Sequence, residues 1–389
     1  MAESTYIVNG TVLTMEDGGF QNGFVRMNNG KIVACGPMRD IPRTEGAEIF
    51  DAGGGYILPG LVDAHTHLGI WEESMGLEGD DGNEDTDPVT PQLRAIDAVN
   101  PCDRSFREAL LAGITTVMTG PGSANPIAGQ FAAVKTCGRR IDDMLLLAPA
   151  AMKFSLGENP KMVYHEKNQT PVTRMATASI IRENLFKAEE YKKAKEKALS
   201  DPDCDAPDFE MKLESLLPLL RGEVQAHFHA HRSDDIFTAL RIAREFGLKP
   251  VIIHGTEAHL IADILKEEGV PVVVGPSLSF RAKPELRNMT FETPGILAKG
   301  GVLTAITTDH PETPLPYLML CASLANRSGM EETDAFRAVT INPAKIMGLD
   351  KRIGSIKAGK DADVVVYSGH PFERNTSVAA VFIDGKRVK

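Results

Sequence analysis

The chain has 389 residues, 42% of them apolar, and carries a formal net charge of −11. That length supports one large domain or two smaller ones with a sizeable core. The acidic balance argues against nucleic acid as a partner, because phosphate binding needs clustered Lys and Arg, and no apolar run is long enough to span a bilayer.

The first residues, MAESTYIVNGTVLTM, have neither a basic segment nor a long apolar stretch. No secretory leader is expected, and the composition suits a cytoplasmic protein. Residues 5 to 55 read as short strands separated by turns, with hairpin signals at Asn9-Gly10 and Asn29-Gly30. The C-terminal tail, SIKAGKDADVVVYSG followed by AAVFIDGKRVK with a turn at Asp384-Gly385, has the same character. Two β segments at opposite ends predict a composite β-sandwich from residues 1–58 and 354–389, enclosing an α/β unit over 59–353.

That unit begins with LPGLVDAHTH, Leu58 to His67. On an extended strand residues i and i+2 share a side, so His65 and His67 would offer two imidazoles to one point. A pair of surface histidines at a strand end is the plain alternative. Beyond it, ITTVMTG, DMLLLAPAA, EVQAHFHAH, KPVIIHG, VPVVVG and VLTAITTD read as buried parallel strands, and DDIFTALRIAREFG and EAHLIADILKEEG as amphipathic helices. Repeated βα units predict a parallel sheet with helical cover, as a closed barrel or an open doubly wound sheet. The glycine-rich phosphate loops of the open type are absent.

Two segments interrupt this rhythm. Glu72 to Pro91 is acidic and turn-rich, a lid or a solvated flap. Lys153 to Arg221 contains a long charged helix over roughly Arg174 to Ser200 and a shorter one near Phe209 to Leu220.

The histidines carry the chemistry. Of ten in the chain, His65, His67, His227, His229, His231, His254, His259 and His310 fall at or just beyond predicted strand ends. In parallel α/β folds that edge is where sites are built. In EVQAHFHAHR three histidines alternate onto one face. His229 is the expected ligand because the strand ends near it, His231 stands at the rim where substrate would bind, and His227 lies deeper as a hydrogen-bonded core histidine. His254 closes an apolar strand. Alone it would read as a core residue, but with its candidate partners it reads as part of the site. Asp309 ends VLTAITTD, and a carboxylate there must be paired, hydrogen-bonded or metal-bound.

Imidazoles and a carboxylate match a divalent metal, zinc first, with iron or manganese as other candidates. The five cysteines are scattered without C-x-x-C spacing, so neither a disulfide framework nor a thiolate site is expected. A cation with an open position would lower the pKa of water to about 7. Asp309 would then take a proton as water attacks a carbonyl or amidine carbon, and return it to the leaving nitrogen. The following loops add weaker candidates for substrate contact, Asn125 and Gln130, Lys161 and Tyr164, and Arg174, each with loop-structuring as the commoner role.

LPGLVDAHTH, the strands ending in His229 and His254, TTDHP, and the tail TINPAKIMGLDKRIGSIKAGKDADVVVYSG together resemble the amidohydrolase superfamily, more narrowly its imidazolonepropionase-like and prolidase-like branch. The resemblance covers nearly the whole chain. It implies a distorted (β/α)8 TIM barrel with a composite β-sandwich, and hydrolysis of a C–N bond in an amide, lactam or cyclic amidine of a small polar substrate. A metallodipeptidase of the prolidase-like type, or a silent barrel serving as an assembly subunit, are the alternatives. A homo-oligomer is the base-rate expectation.

Carried over by position, the resemblance makes His65 and His67 ligands of the more buried metal with Asp309. His229 and His254 would bind a second ion, or in one-metal members His229 would bind and His254 would polarise the substrate. Two-metal members bridge the ions with a carboxylated lysine on the fourth strand, and Lys153 is the candidate, with a loop-holding contact to Glu158 as the alternative. The sequence departs from the family pattern here: only one clear strand is visible between ITTVMTG and EVQAHFHAH, where two are expected.

Overall fold

The computed structural model describes residues 4–16 and 18–389. Two eight-stranded sheets organise it. The first takes β1 (Thr5–Leu13), β2 (Gly19–Asn28), β3 (Lys31–Pro37), β4 (Glu48–Asp51) and β5 (Tyr56–Pro59) from one end of the chain. From the other end it takes β14 (Val364–Tyr367), β15 (Val378–Ile383) and β16 (Lys386–Arg387). The two ends meet where β14 runs antiparallel to β5, pairing Val364 with Pro59 and Tyr367 with Tyr56. One apolar core serves both, with Ile7, Val25 and Ile57 packed beside Val364, Val366 and Phe382.

The second sheet is β6 (Leu61–Thr66), β7 (Ile114–Thr119), β8 (Ile127–Lys135), β9 (Leu145–Ser155), β10 (Gln225–Ala230), β11 (Pro250–His254), β12 (Val272–Val274) and β13 (Thr304–Ile306), neighbours in chain order. This is the distorted (β/α)8 barrel, and the distortion is local. Strand β8 runs antiparallel to both β7 and β9, whereas the other pairs are parallel. The strand that sequence reasoning could not find is therefore β8. IAGQFAAVK holds a glycine and a glutamine where a buried parallel strand would carry branched residues, and it follows directly on a loop-like PGSANP. Strand β9 also runs on past DMLLLAPAA, so Lys153 lies inside the fourth strand rather than at the head of an insertion.

Side chains close the seam between β6 and β13. Thr308 donates its amide (2.9 Å) and hydroxyl (2.8 Å) to the Asp63 carboxylate, and Thr307 donates its hydroxyl to the His65 carbonyl at 2.6 Å. A short polar clasp thus holds the first and last strands together and fixes His65 beside the segment that carries Asp309. Outside the barrel, the helices Arg174–Ser200, Met211–Leu220 and Ser233–Phe246 lay Ile181, Leu216 and Ile236 against Phe228 and Ile252. The acidic segment after His67 is pinned across the barrel mouth: the Trp71 indole donates to Asp80, and Val89 and Arg94 form bridges to Ile127 and Gln130 of β8. No helix among the described residues is long and apolar enough to cross a membrane.

Candidate metal centre

The HxH stretch enters the barrel through a corner at Gly60. A Cβ there would lie 2.1 Å from the Thr115 hydroxyl and 2.4 Å from its methyl, so only glycine lets β5 turn into β6 at this spacing. From the end of β6 the two rings converge, their centroids 5.2 Å apart. The Nδ1 of His67 bonds the Gly120 carbonyl at 2.7 Å, which leaves Nε2 facing inward. Both Nε2 atoms lie 3.3 Å from Asp309 Oδ1.

Strand β10 alternates as its pattern requires. Ala226, Phe228 and Ala230 join the helix-facing core, while His227 and His229 take the other face. On β11 strict alternation would send His254 outward with Ile252. Its left-handed backbone, φ 74°, turns it into the barrel instead, where Nδ1 bonds the Gly275 carbonyl at 2.7 Å. Asp309 is left-handed as well, φ 53°. Two non-glycine residues held this way at one site mark backbone conformation maintained for position rather than ease.

The result is one cluster. His65, His254 and Asp309 present ligand atoms within 4.8 Å of one another, and so do His229, His231 and His254. Lys153 reaches the same interior, its Nζ 3.1 Å from His65 Nε2. All of these groups are buried. Burial first, then neighbouring cations and imidazoles, holds His65, His229 and His231 well below the ordinary imidazole value; burial also brings His254 down to about 4 and His227 to about 3. These imidazoles are neutral near pH 7, the form that gives a lone pair to a cation. Burial would raise the Asp309 carboxyl, but His254, His65 and His67 outweigh it and hold it well below the usual carboxylate range. Burial lowers the Lys153 amine to about 7.

A cation fits this donor set. Neither ring nitrogen of His229 has a hydrogen-bond partner, and neither Nδ1 of His65 nor Oδ1 of Asp309 has one. Buried nitrogens and carboxylate oxygens are otherwise hydrogen-bonded almost without exception. An ion with N and O ligands would satisfy His229 and Asp309 Oδ1, and could take His65 through the Nε2 that already faces Asp309.

Above the cluster opens a cavity of about 380 Å³, lined by His67, His229, His231, His254 and Asp309, with Trp71, Asn159, Met162, Phe280, Lys283 and Glu312. His231, expected at the rim, lies here with Nδ1 on the Thr256 hydroxyl at 2.8 Å. Three expectations change. Asn125 and Tyr164 do not line this cavity: the Tyr164 hydroxyl donates to Asn125 Oδ1 at 2.6 Å, and Asn125 donates in turn to the Glu84 carbonyl, a buried brace beneath the acidic segment. Their chemistry is spent on each other. His227 is buried as expected but unbonded at both nitrogens, set beside Lys153 in register. Glu158 does not hold Lys153; its amide donates to Glu285 Oε2 at 3.0 Å.

Glu285 and Lys283 were missed. Glu285 is buried, its Oε1 3.6 Å from His231 Nε2 and 2.8 Å from Lys283 Nζ. Burial would raise Glu285, yet His231, Lys283 and the Glu158 amide keep it below the ordinary carboxylate value. The available signal was position: SFRAKPEL follows VPVVVG, at the same edge of the sheet as the histidines.

A barrel with a histidine–aspartate centre at the C-terminal ends of its strands is the arrangement of a hydrolase class, and the relatives of this chain agree. A sequence model described as "Amidohydrolase family" matches residues 219–388. The solved structure of an amidohydrolase from Thermotoga maritima is similar at 46% identity and a TM-score of 0.95, covering 99% of both chains. An imidazolonepropionase of Thermoplasma acidophilum is 26% identical over 375 residues, 91% of this chain and 84% of that one. An amidohydrolase of Hapsidospora irregularis is 30% identical over 378 residues; the match spans 90% of this chain but only 38% of that longer protein. The chain belongs to the amidohydrolase family, in its imidazolonepropionase-like branch, and so to the hydrolases of carbon–nitrogen bonds.

Proposed function

We propose that the chain is a metal-dependent hydrolase that cleaves an amide, lactam or cyclic amidine bond in a small polar molecule. The observation that supports this reading is a pair of buried triads sharing one residue, His65, His254 and Asp309 with His229, His231 and His254, beneath a cavity, and with His67 Nε2 3.3 Å from Asp309 Oδ1. A divalent ion held there, zinc first by ligand type, would supply Lewis acidity to water and to the carbonyl or amidine carbon under attack.

The remaining work falls to the chain. Asp309 faces the cavity with its carboxyl ionised, so it can accept the proton that water loses and deliver it to the departing nitrogen. His254, fixed by the Gly275 carbonyl, can orient the carbonyl oxygen or serve as a ligand. Trp71 stands edge-on to His67 with centroids 4.5 Å apart and shields that side from bulk water. Lys153 is the candidate bridge. Lowered to about 7, a large share of it is the free amine at neutral pH. The amine can add to carbon dioxide, forming one N–C bond and releasing one proton, and the resulting carbamate carries the negative charge that two adjacent ions would need.

The test joins metal analysis of the purified protein to a hydrolysis screen over lactams, cyclic amidines, N-acyl amino acids and dipeptides. One or two equivalents of a divalent metal with turnover in the non-peptide set supports the reading. Turnover of dipeptides alone would move the chain to the metallodipeptidase alternative, and turnover that survives complete metal removal would refute the mechanism.

A further inference from the structure

Among the described residues lining the cavity, Lys283 is the one lysine or arginine. Its ammonium is held in place. Nζ donates to Asn159 Oδ1 at 2.7 Å and lies 2.8 Å from Glu285 Oε1. Asn159 is itself fixed by a 2.6 Å bond to the Ser123 hydroxyl, and Glu285 by the Glu158 amide. Three segments far apart in sequence thus converge to aim one lysine, which is more than a solvated surface lysine requires. An ammonium has three donors. One is given to Asn159, Glu285 stands at ion-pair distance without a formed hydrogen bond, and the side chain keeps a quarter of its surface open. Beside it, Phe280, Leu286 and Met162 give the cavity an apolar wall.

We propose that Lys283 is a specificity-determining residue that anchors a carboxylate on the substrate, so that the enzyme selects amides or lactams carrying both a free carboxylate and an apolar group. A carboxylate would take a free N–H of Lys283 as a charge-assisted bond while the apolar group lies against Phe280 and Leu286. Glu285 is the counterion: it positions Lys283, lies 3.6 Å from His231 Nε2, and is not among the residues lining the cavity. The inference rests on the hydrolase reading above and deepens it.

The test compares N-acyl amino acids with their carboxamides, with N-benzoylglycine and N-benzoylglycinamide as the first pair. In the wild-type enzyme kcat/KM should favour the carboxylate member by about tenfold or more, and Lys283→Met should reduce that ratio by about tenfold, chiefly through KM. Lys283→Arg should restore most of it. Because Lys283→Met leaves Glu285 without its cation, the double variant Lys283→Met/Glu285→Gln is measured alongside, with melting curves. Calorimetric binding of N-benzoylglycine to the metal-loaded protein is read in parallel. If no member of the panel is turned over, the hydrolase reading is what fails, and Lys283 is judged on binding alone. Equal ratios in wild type and both variants, or N-benzoylglycine binding that is absent or unchanged by the substitutions, would overturn the role of Lys283.

Discussion

The Nζ of Lys153 lies 3.1 Å from Nε2 of His65 in the centre of the barrel, and no carboxylate bonds it there. Burial, the largest influence, lowers the amine to about 7, with only Asp309 opposing it. In metal-stripped protein this has a thermodynamic consequence. Between about pH 7 and 10.5 the unfolded chain keeps a proton on Lys153 that the folded chain has released, so stability should rise with pH across that window, by up to about 1.4 kcal/mol per pH unit. Denaturant unfolding of wild type and Lys153→Met, both metal-free, measures it. The wild type should gain on the variant as pH rises from 7; parallel curves would mean that the amine is not depressed.

Metal removal should act on folding as well as on turnover. An ion bound only by the native state stabilises it by mass action, about 4 kcal/mol at a thousandfold excess over its dissociation constant. Exhaustive chelation is therefore expected to abolish hydrolysis and lower the melting temperature together, and zinc should restore both. His65→Ala should reduce the bound metal per chain. A melting temperature indifferent to chelation would separate the histidine cluster from any resident ion.

Asp309→Asn preserves volume and removes the charge. The fold should survive, since the strand seam is carried by Asp63, Thr307 and Thr308 rather than by this carboxylate. With metal content matched to wild type, turnover should fall by about 10²- to 10⁴-fold, the usual span for loss of an acid–base group. Turnover that is unchanged at equal metal loading would take proton transfer away from Asp309.

The parts of the site legible in the sequence are those that obey strand geometry. His65 and His67 follow from i, i+2 spacing on β6, and His227 and His229 from alternation on β10. His254 was placed correctly for an incomplete reason. Alternation alone sends it toward the helices, and the left-handed backbone that turns it inward leaves no mark in KPVIIHG. Strand β8 escaped because Gly129 and Gln130 break the apolar run that identifies its neighbours. Lys283 and Glu285 were invisible for a different reason. Their placement depends on Asn159 and Glu158, more than a hundred residues earlier, and no local pattern encodes a contact across that distance.

Asn125 and Tyr164, expected at the substrate, are instead bonded to each other outside the cavity above the histidine cluster. The Tyr164 side chain is buried, and its hydroxyl reaches only Asn125, which also takes up Thr90 and the Glu84 carbonyl. Tyr164→Phe deletes one buried hydrogen bond and leaves Asn125 Oδ1 without a donor, a loss of about 1–3 kcal/mol. The melting temperature should drop by several degrees. Because the pair lies outside the cavity that holds His231, Lys283 and Asp309, the preference among substrates should stay as in wild type. A changed ratio of kcat/KM between two substrates, with the fold intact, would return Tyr164 to the substrate-binding set.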